Sequence, residues 1–389
     1  MLASFSIECL ILLQIKLVTI ECNELISTIE ADQRIQMRID EPFFIQIVHP
    51  PAAYEDITKK KTREEFIYFQ LFLNYLRKIK LTQQDQDDFI TRLREEYKDG
   101  DTQLELIDQF REIYSSDNVL AWYTPQSFFH RILSKALNTQ NIPIIIQFHA
   151  FISDLYTQLK ERQPTSPLTV FRSQLLSMDE IDHLKNNIGQ LISINSFWYA
   201  DIVLSKVLAD VDKVKATADR RRVLFKIDTD LSLNTNTPVA LSNIQNENDD
   251  SSEVLFMAGS VFRVTEIAQQ DDQTWLIKLT LCTDEEYNAI FDSVPIKTQN
   301  ESDEGNLRIF AKILSKMGHL ELAHLYYNRL INELPSNDPL LKIIYEDFAK
   351  TALEKKDYET ATEWYRKAFL IKNENPSETH TGKYYCSSL

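Results

Sequence analysis

The stretch SSEVLFMAGSVFRVTEI, residues 251–267, holds two short apolar runs separated by Gly259. The first run begins at a carboxylate, Glu253, shortly after the polar segment SNIQNENDD. Apolar runs of this length, bounded by turn residues, predict two β-strands. Glu253 at the start of a strand has two interpretations. It is a solvated strand end, or it is a carboxylate that the preceding loop presents to a substrate.

Further short apolar runs surround this stretch and predict a sheet. Short strands with turn signals between them are typical of a mainly antiparallel sheet, which we place over residues 165–295. Helical insertions are expected near 178–188 and 201–215. The predicted strands cover 168–171, 191–197, 223–227, 239–241, 253–257, 261–267 and 275–281.

Helical periodicity dominates on both sides of the predicted sheet. Residues 61–164 contain amphipathic and wholly apolar helical patterns, which predict a helical lobe. Residues 305–389 are also predicted to be helical, and there TATEWYRKAF follows LAHLYYNRLI by 38 residues. Residues 1–60 are predicted to form a short, strand-rich segment of an incomplete domain. The fold class is therefore α+β.

The composition excludes several classes of function. The formal net charge of the 389-residue chain is -16, so a nucleic acid backbone is not an expected partner. Only six glycines are present, and neither GxGxxG nor GxxxxGK[ST] occurs. The four cysteines show no metal-ligand spacing and predict free thiols in a reducing compartment, so no metal is expected.

The apolar start of the chain falls short of a membrane or export segment. Glu8 and Lys16 interrupt it, and no basic region precedes it. A span of about 20 apolar residues is therefore missing, and we expect no membrane span and a cytoplasmic location.

Three polar residues stand on predicted strands in a defined order. Arg172 ends the apolar run LTVF, Ser196 lies within LISINSFWYA, and Glu253 begins EVLF. Each alone is unremarkable, because an arginine, a serine or a glutamate at a strand end is usually solvated. Their order along the chain and the sequences that flank them indicate a shared site.

The flanking segments VFRSQLLSMDEIDHLKNNIGQLISINSF and EVLFMAGSVFRVTEI extend the pattern. Over roughly 120–290, the chain resembles the R-S-E class of arginine-specific mono-ADP-ribosyltransferases. The resemblance implies a helical lobe followed by a split antiparallel sheet with a cleft for NAD or NADP. The repeated tail resembles tetratricopeptide repeats, helix–turn–helix units of about 34 residues that bind peptides or proteins.

The resemblance implies a role for each site residue. Glu253 would be catalytic, stabilising the positive charge that builds on the ribose when nicotinamide leaves. Arg172 would bind the pyrophosphate with its forked guanidinium. Ser196 would hold the ribose or the nicotinamide amide, Phe197 would line the nicotinamide ring, and Ser251 would lie on the acceptor side. The implied reaction transfers ADP-ribose from NAD to a protein side chain, with arginine as the expected acceptor.

Two departures from the family pattern leave a second interpretation open. The family carries Ser-Thr-Ser shortly after the Ser-Phe pair, whereas this chain has Trp198 followed by Tyr-Ala-Asp. The family also carries Glu-x-Glu, whereas this chain has Ser251 in place of the first glutamate. The alternative to an enzyme is a degenerate fold that acts as a protein-interaction scaffold through its repeat tail.

Overall fold

The computed structural model describes residues 44–49, 56–80, 82–98, 100–124, 127–164, 166–213, 219–229, 241–244, 253–270, 274–291, 303–336 and 338–374. The chain divides into two compact units. The first combines Met1–Ile47, Tyr97–Ile145 and Asp154–Asp284, and the second combines Val48–Glu96, Ile146–Ser153 and Glu285–Leu389. The predicted lobe over 61–164 thus contributes to both units. Most of the predicted segment 1–60 lies outside the described residues.

Nine strands within the described residues form one sheet, and the structure is mixed α/β. The strand order is β1-β3-β8-β9-β5-β2-β4-β7-β6. The pair β5 and β9 is parallel, whereas β2–β4, β2–β5, β3–β8, β4–β7, β6–β7 and β8–β9 are antiparallel. The strands are β1 (Ile45–Val48), β2 (Leu168–Ser177), β3 (Leu191–Ile194), β4 (Trp198–Asp201), β5 (Arg220–Thr229), β6 (Leu241–Ile244), β7 (Glu253–Phe256), β8 (Ser260–Gln269) and β9 (Thr274–Leu281).

Two short connections carry the chain between distant parts of this sheet. The β3–β4 connection and the β7–β8 connection both cross between the β3–β8 pair and the β4–β7 pair. Ile194 lies opposite Ser260, and Trp198 lies opposite Phe256, so the register is the same on both sides of the crossing. The backbone N–H of Gly259 donates to the carbonyl of Ile194 at 2.9 Å. The two segments therefore behave as one bent, two-stranded ribbon.

The bend corrects the prediction of a single strand over 191–197. Strand β3 ends at Ile194, and β4 begins only at Trp198. Between the two strands, the Asn195 side chain accepts a hydrogen bond from the hydroxyl of Ser193 on β3 at 3.4 Å. On the opposite segment, Gly259 has φ +82°, a left-handed backbone conformation that glycine adopts without steric cost. The apolar run thus serves two strands that pair with different partners.

The sheet curls so that its two halves face each other. Measured between ring centroids, Phe262 of β8 lies 5.9 Å from Trp198 of β4 and 5.2 Å from Phe256 of β7. These contacts belong to one hydrophobic core to which strands on both sides of the crossing contribute. Fully buried members include Val170, Ile192, Val223, Phe225, Val254, Phe262, Val264 and Ile277.

Several helices pack in the first unit, wholly or in part. Ring centroids of Phe110 lie 4.4 Å from Phe129 and 5.2 Å from Trp122. Phe148 separates two helices of the predicted lobe, one ending at Gln147 and the next beginning at His149. The helices are α3 (Asp101–Ile113), α4 (Val119–Trp122), α5 (Phe128–Asn138), α6 (Ile142–Gln147), α7 (His149–Glu161), α8 (Met178–Lys185) and α9 (Leu204–Lys213).

The second unit joins helices from both ends of the described chain. The apolar helix α1 (Ile57–Leu76) packs on α11 (Asp303–Lys316). The ring centroids of Phe72 and Phe310 lie 5.6 Å apart. Arg329 of α12 lies 3.4 Å from the Asp85 carboxylate of α2. The helices are α1, α2 (Gln83–Glu96), α10 (Asp284–Phe291), α11 (Asp303–Lys316), α12 (Leu320–Glu333), α13 (Pro339–Glu354) and α14 (Tyr358–Glu374). In the described ranges, no helix has the length and apolarity needed to cross a membrane.

The last four helices form two hairpins that repeat at an interval of 38 residues. In the first turn the N–H of His319 donates to the carbonyl of Leu314 at 2.9 Å, and in the second Asp357 donates to Ala352 at 3.0 Å. The residue before each donor is left-handed: Gly318 has φ +83° and Lys356 has φ +62°. The same turn geometry is therefore built once with glycine and once with lysine.

This difference predicts opposite effects of two substitutions. Gly318→Ala lowers the free energy of unfolding by about 1–2 kcal/mol, because a Cβ is strained in left-handed backbone. No other atom lies within 4 Å of the added Cβ, so backbone strain alone accounts for the loss. Lys356→Gly raises the free energy of unfolding by up to about 1 kcal/mol, because relief of strain exceeds the entropic cost of glycine. Urea unfolding measures both, and shifts in the same direction would contradict the account.

Candidate functional site

The strands that carry the predicted site residues are neighbours in the sheet. Arg172 lies on β2, Ser196 lies in the bend before β4, and Glu253 begins β7. The order β2-β4-β7 is consecutive. Phe171 of β2 lies opposite Asp201 of β4, which lies opposite Glu253. Residues far apart in the chain thus meet within a band about two strand spacings wide, roughly 10 Å.

Arg172 is buried, and its guanidinium is bound within the protein. Its Nε donates to the Gln174 side chain at 3.0 Å, and its Nη1 donates to the backbone carbonyl of Tyr199 at 2.9 Å. The guanidinium carbon lies 5.5 Å from the ring centroid of Trp198. With 5% of its surface exposed, Arg172 holds β4 against β2 through a charge-assisted hydrogen bond.

Ser196 and Phe197 lie in the bend of the ribbon and are almost inaccessible. Ser196 is 6% exposed and Phe197 is fully buried. The Phe197 ring packs 5.0 Å from the ring of Tyr123, measured between centroids. The Tyr199 hydroxyl donates to the backbone carbonyl of Tyr123. Tyr123, which directly follows α4, therefore packs against the bend. It covers the ring of Phe197, which the family resemblance assigns to the nicotinamide site.

Glu253 is half-buried at the first position of β7. Its cross-strand neighbour is Asp201, and directly opposite residues in an antiparallel pair have Cβ atoms about 4.5–5.5 Å apart. Asp201 is 4% exposed, accepts a hydrogen bond from the N–H of Val203 at 2.8 Å, and pairs with Lys206 at 3.0 Å. Two carboxylate residues thus occupy directly opposite positions on neighbouring strands. The positively charged Lys206 reduces the electrostatic repulsion between them.

Strand alternation separates these residues into two groups. Successive side chains of a strand point to opposite faces, and directly opposite residues share a face. Arg172 shares the core face with Val170 and Trp198, whereas the row of Asp201 and Glu253 belongs to the other face. The sheet brings the strands of Arg172 and Glu253 together, but regular alternation places their side chains on opposite faces.

Three residues that shape this region are not among the site residues predicted from the sequence. Asp201 was noted only as a departure from the family pattern, although its place opposite Glu253 makes it a second carboxylate. Tyr199 belongs to the same departure and Gln174 to no predicted site, yet both bind Arg172. The signal available was the replacement of small hydroxyl residues by a tyrosine and an aspartate. Ser251, predicted on the acceptor side, lies outside the described residues.

A metal site does not emerge from the described residues. In that part of the chain no group of three or more His, Cys, Asp or Glu side chains is placed to hold a metal ion.

Comparison with known proteins gives matches in structure alone. No protein-family model matches the chain, and no curated protein matches it in sequence. The ADP-ribosyltransferase Vis in complex with the M6 inhibitor aligns with TM-score 0.35 and 12% identity over 55% of this chain and 90% of that chain. HopU1 of Pseudomonas syringae pv. tomato DC3000 aligns with TM-score 0.35 and 15% identity over 53% and 100%.

The C3 exoenzyme of Clostridium limosum aligns with TM-score 0.32 and 14% identity over 44% of this chain and 86% of that chain. Similarity at this level carries no assignment of fold or function.

The contacts of Arg172 predict a structural effect that needs no ligand. Arg172→Gln lowers the free energy of unfolding by about 2–3 kcal/mol, because it removes a buried charge-assisted hydrogen bond to the Tyr199 carbonyl. Arg220→Gln, at an exposed position at the start of β5, serves as the control and changes stability by about 0.5 kcal/mol or less. Urea unfolding measures both variants. Equal stability of Arg172→Gln and wild type would contradict the structural role.

Proposed function

We propose that the chain is a mono-ADP-ribosyltransferase that moves ADP-ribose from NAD to a protein side chain, with arginine as the acceptor. The single observation that supports this proposal is the consecutive order β2-β4-β7, which gathers the three motif strands into one band. The motifs are separated along the chain, so their meeting is not a consequence of sequence proximity. Glu253 at the start of β7 is the residue on which the chemistry depends.

The reaction breaks the bond between ribose C1′ and the nicotinamide nitrogen. The electron pair of that bond leaves with nicotinamide, and positive charge builds on C1′ and the ring oxygen of the ribose. A carboxylate stabilises this charge, as in glycoside cleavage. The acceptor nitrogen then forms a bond to C1′ and gives up a proton. In this proposal the Glu253 carboxylate stabilises the cation and receives that proton.

Asp201 supports arginine as the acceptor. The family pattern supplies a second carboxylate from the residue that is Ser251 here, whereas this chain has Asp201 opposite Glu253 on the neighbouring strand. A guanidinium is planar and cationic, and two adjacent carboxylates favour its binding. In this proposal Asp201 takes over the role of acceptor recognition.

Arg172, Ser196 and Phe197 belong to the proposal through the family resemblance, which assigns them to NAD. Arg172 has an additional role here: by binding the Tyr199 carbonyl it positions β4, the strand that carries Asp201. All three side chains are buried, and Arg172 lies on the face of the sheet opposite Glu253. One NAD molecule would therefore contact them together with Glu253 only if the bend, the segment around Tyr123 and the Arg172 side chain rearranged.

Glu253→Gln tests the catalytic role. The purified chain is incubated with NAD at high protein concentration, with and without agmatine as a small guanidine, and nicotinamide release is followed by chromatography. We expect the substitution to lower release about 100-fold or more, because the neutral amide neither stabilises the cation nor accepts a proton. NAD affinity, measured by calorimetry, should change little.

Glu266→Gln is the matched control, since Glu266 is a carboxylate on β8 that is 51% exposed and paired with Lys278 at 2.7 Å. It should leave nicotinamide release unchanged. Release by Glu253→Gln at the wild-type rate would refute the proposed mechanism. Asp201→Asn should lower transfer to agmatine more than hydrolysis of NAD, and an equal loss of both would remove acceptor recognition from the proposal.

A second candidate function is a protein-interaction scaffold with a degenerate transferase fold. The observation that favours it is the burial of Arg172, Ser196 and Phe197 together with the contact of Phe197 with Tyr123. In this case the repeated hairpins would carry the function by binding a peptide or protein. Absence of nicotinamide release from the wild-type chain at high concentration, combined with absence of NAD binding, would favour the scaffold.

A further inference from the structure

Helix α14 carries an exposed apolar stripe. Tyr358, Tyr365 and Phe369 recur at intervals of seven and four residues, so they lie on one side of the helix. Their exposed fractions are 67%, 39% and 62%. The adjacent side of the helix packs on α13: Ala361 and Ala368 are buried, and the ring centroid of Trp364 lies 4.3 Å from that of Phe348. The stripe is therefore a second apolar face of the same helix.

The first hairpin shows what such a face accommodates. His324 and Tyr327 of α12 precede Thr362 and Tyr365 by 38 residues, so they occupy the equivalent face. Phe348 of α13 covers them, with ring centroids 4.3 Å from His324 and 5.7 Å from Tyr327. Tyr327 is accordingly 1% exposed. The geometry of the repeat thus indicates that the stripe on α14 is built to receive another helix.

We propose that this helix is α14 of a second copy of the chain, packed antiparallel about a two-fold axis. A two-fold interface requires a self-complementary surface. With the axis near the middle of α14, Tyr358 of one copy faces Phe369 of the other. Tyr365 lies near the axis and packs against the middle of the second helix.

Charge complementarity supports the antiparallel arrangement. Exposed Glu359 and Arg366 flank the stripe on the same side, seven residues apart. An antiparallel partner brings Glu359 of one copy within one turn of Arg366 of the other, twice per interface. A parallel two-fold partner would place the two charged flanks on opposite sides of the interface, so these charges would not pair.

The segment after α14 is a poor alternative occupant on sequence grounds. A helix over that segment, aligned at the same interval of 38 residues, would have to present apolar side chains where α13 presents Leu341, Ile344 and Phe348. The corresponding positions are Thr379, Gly382 and Cys386. That pattern lacks the apolar face that the stripe requires.

Sedimentation velocity over a concentration series tests the proposal with the full chain. We expect a reversible monomer–dimer equilibrium for the wild type. Phe369→Glu and Tyr358→Glu should each raise the dissociation constant about 30-fold or more, because each sets a carboxylate against an aromatic ring of the second copy. Leu325→Glu is the control, because Leu325 is 61% exposed on α12 outside the stripe, and it should leave the equilibrium unchanged.

Charge reversal tests the antiparallel orientation. Glu359→Arg and Arg366→Glu should each weaken the dimer, and the double variant should restore it, because the reversed charges again face each other across the axis. Circular dichroism confirms that each variant is folded. A wild type that stays monomeric throughout the series, a stripe variant that dimerises like wild type, or a double variant that remains weak would overturn the proposal. Recovery of dimerisation by a chain ending at Glu374, when the full chain is monomeric, would identify the following segment as the occupant instead.

Discussion

The sheet depends on the bent ribbon formed by β3–β4 and β7–β8. Without it, the β3–β8 pair and the β4–β7 pair would be connected only through the intervening strands β9, β5 and β2. The hydrogen bond from the Gly259 N–H to the Ile194 carbonyl joins the two segments at the bend. The curl that this bend imposes brings Trp198, Phe256 and Phe262 together and so creates the core. Hydrogen bonding at the bend and burial of aromatic rings are therefore parts of one constraint.

Contacts to the same ribbon hold the candidate site in place. Arg172 fixes the Tyr199 carbonyl, Tyr199 in turn binds the Tyr123 carbonyl, and these contacts hold β4 from both sides. Asp201 at the end of β4 is therefore a fixed neighbour for Glu253. A fixed pair of carboxylates, neutralised in part by Lys206, suits recognition of a cation better than a pair on loops would. Phe197, in the bend before the same strand, is fully buried.

Much of this architecture could be predicted from the sequence, and the exceptions have physical reasons. Apolar runs around Glu253 and the 38-residue recurrence predict the two strands and the paired hairpins, because both are local patterns. The division of 191–201 into two strands escaped prediction, because these residues are buried throughout and no glycine or proline marks the bend at Asn195. The association of α1 with α11 and the place of Asp201 opposite Glu253 depend on long-range pairing, which periodicity does not report.

The constant register through the bend limits how the chain can change in length. A residue inserted into the β3–β4 connection alone would shift β4 by one position against β7 and turn its side chains to the other face. Trp198 and Ala200 would leave the core, and Asp201 would leave the row of Glu253. Only a matching insertion between Phe256 and Ser260 would restore the pairing register of the two segments. Insertions and deletions at these two connections should therefore be tolerated in pairs.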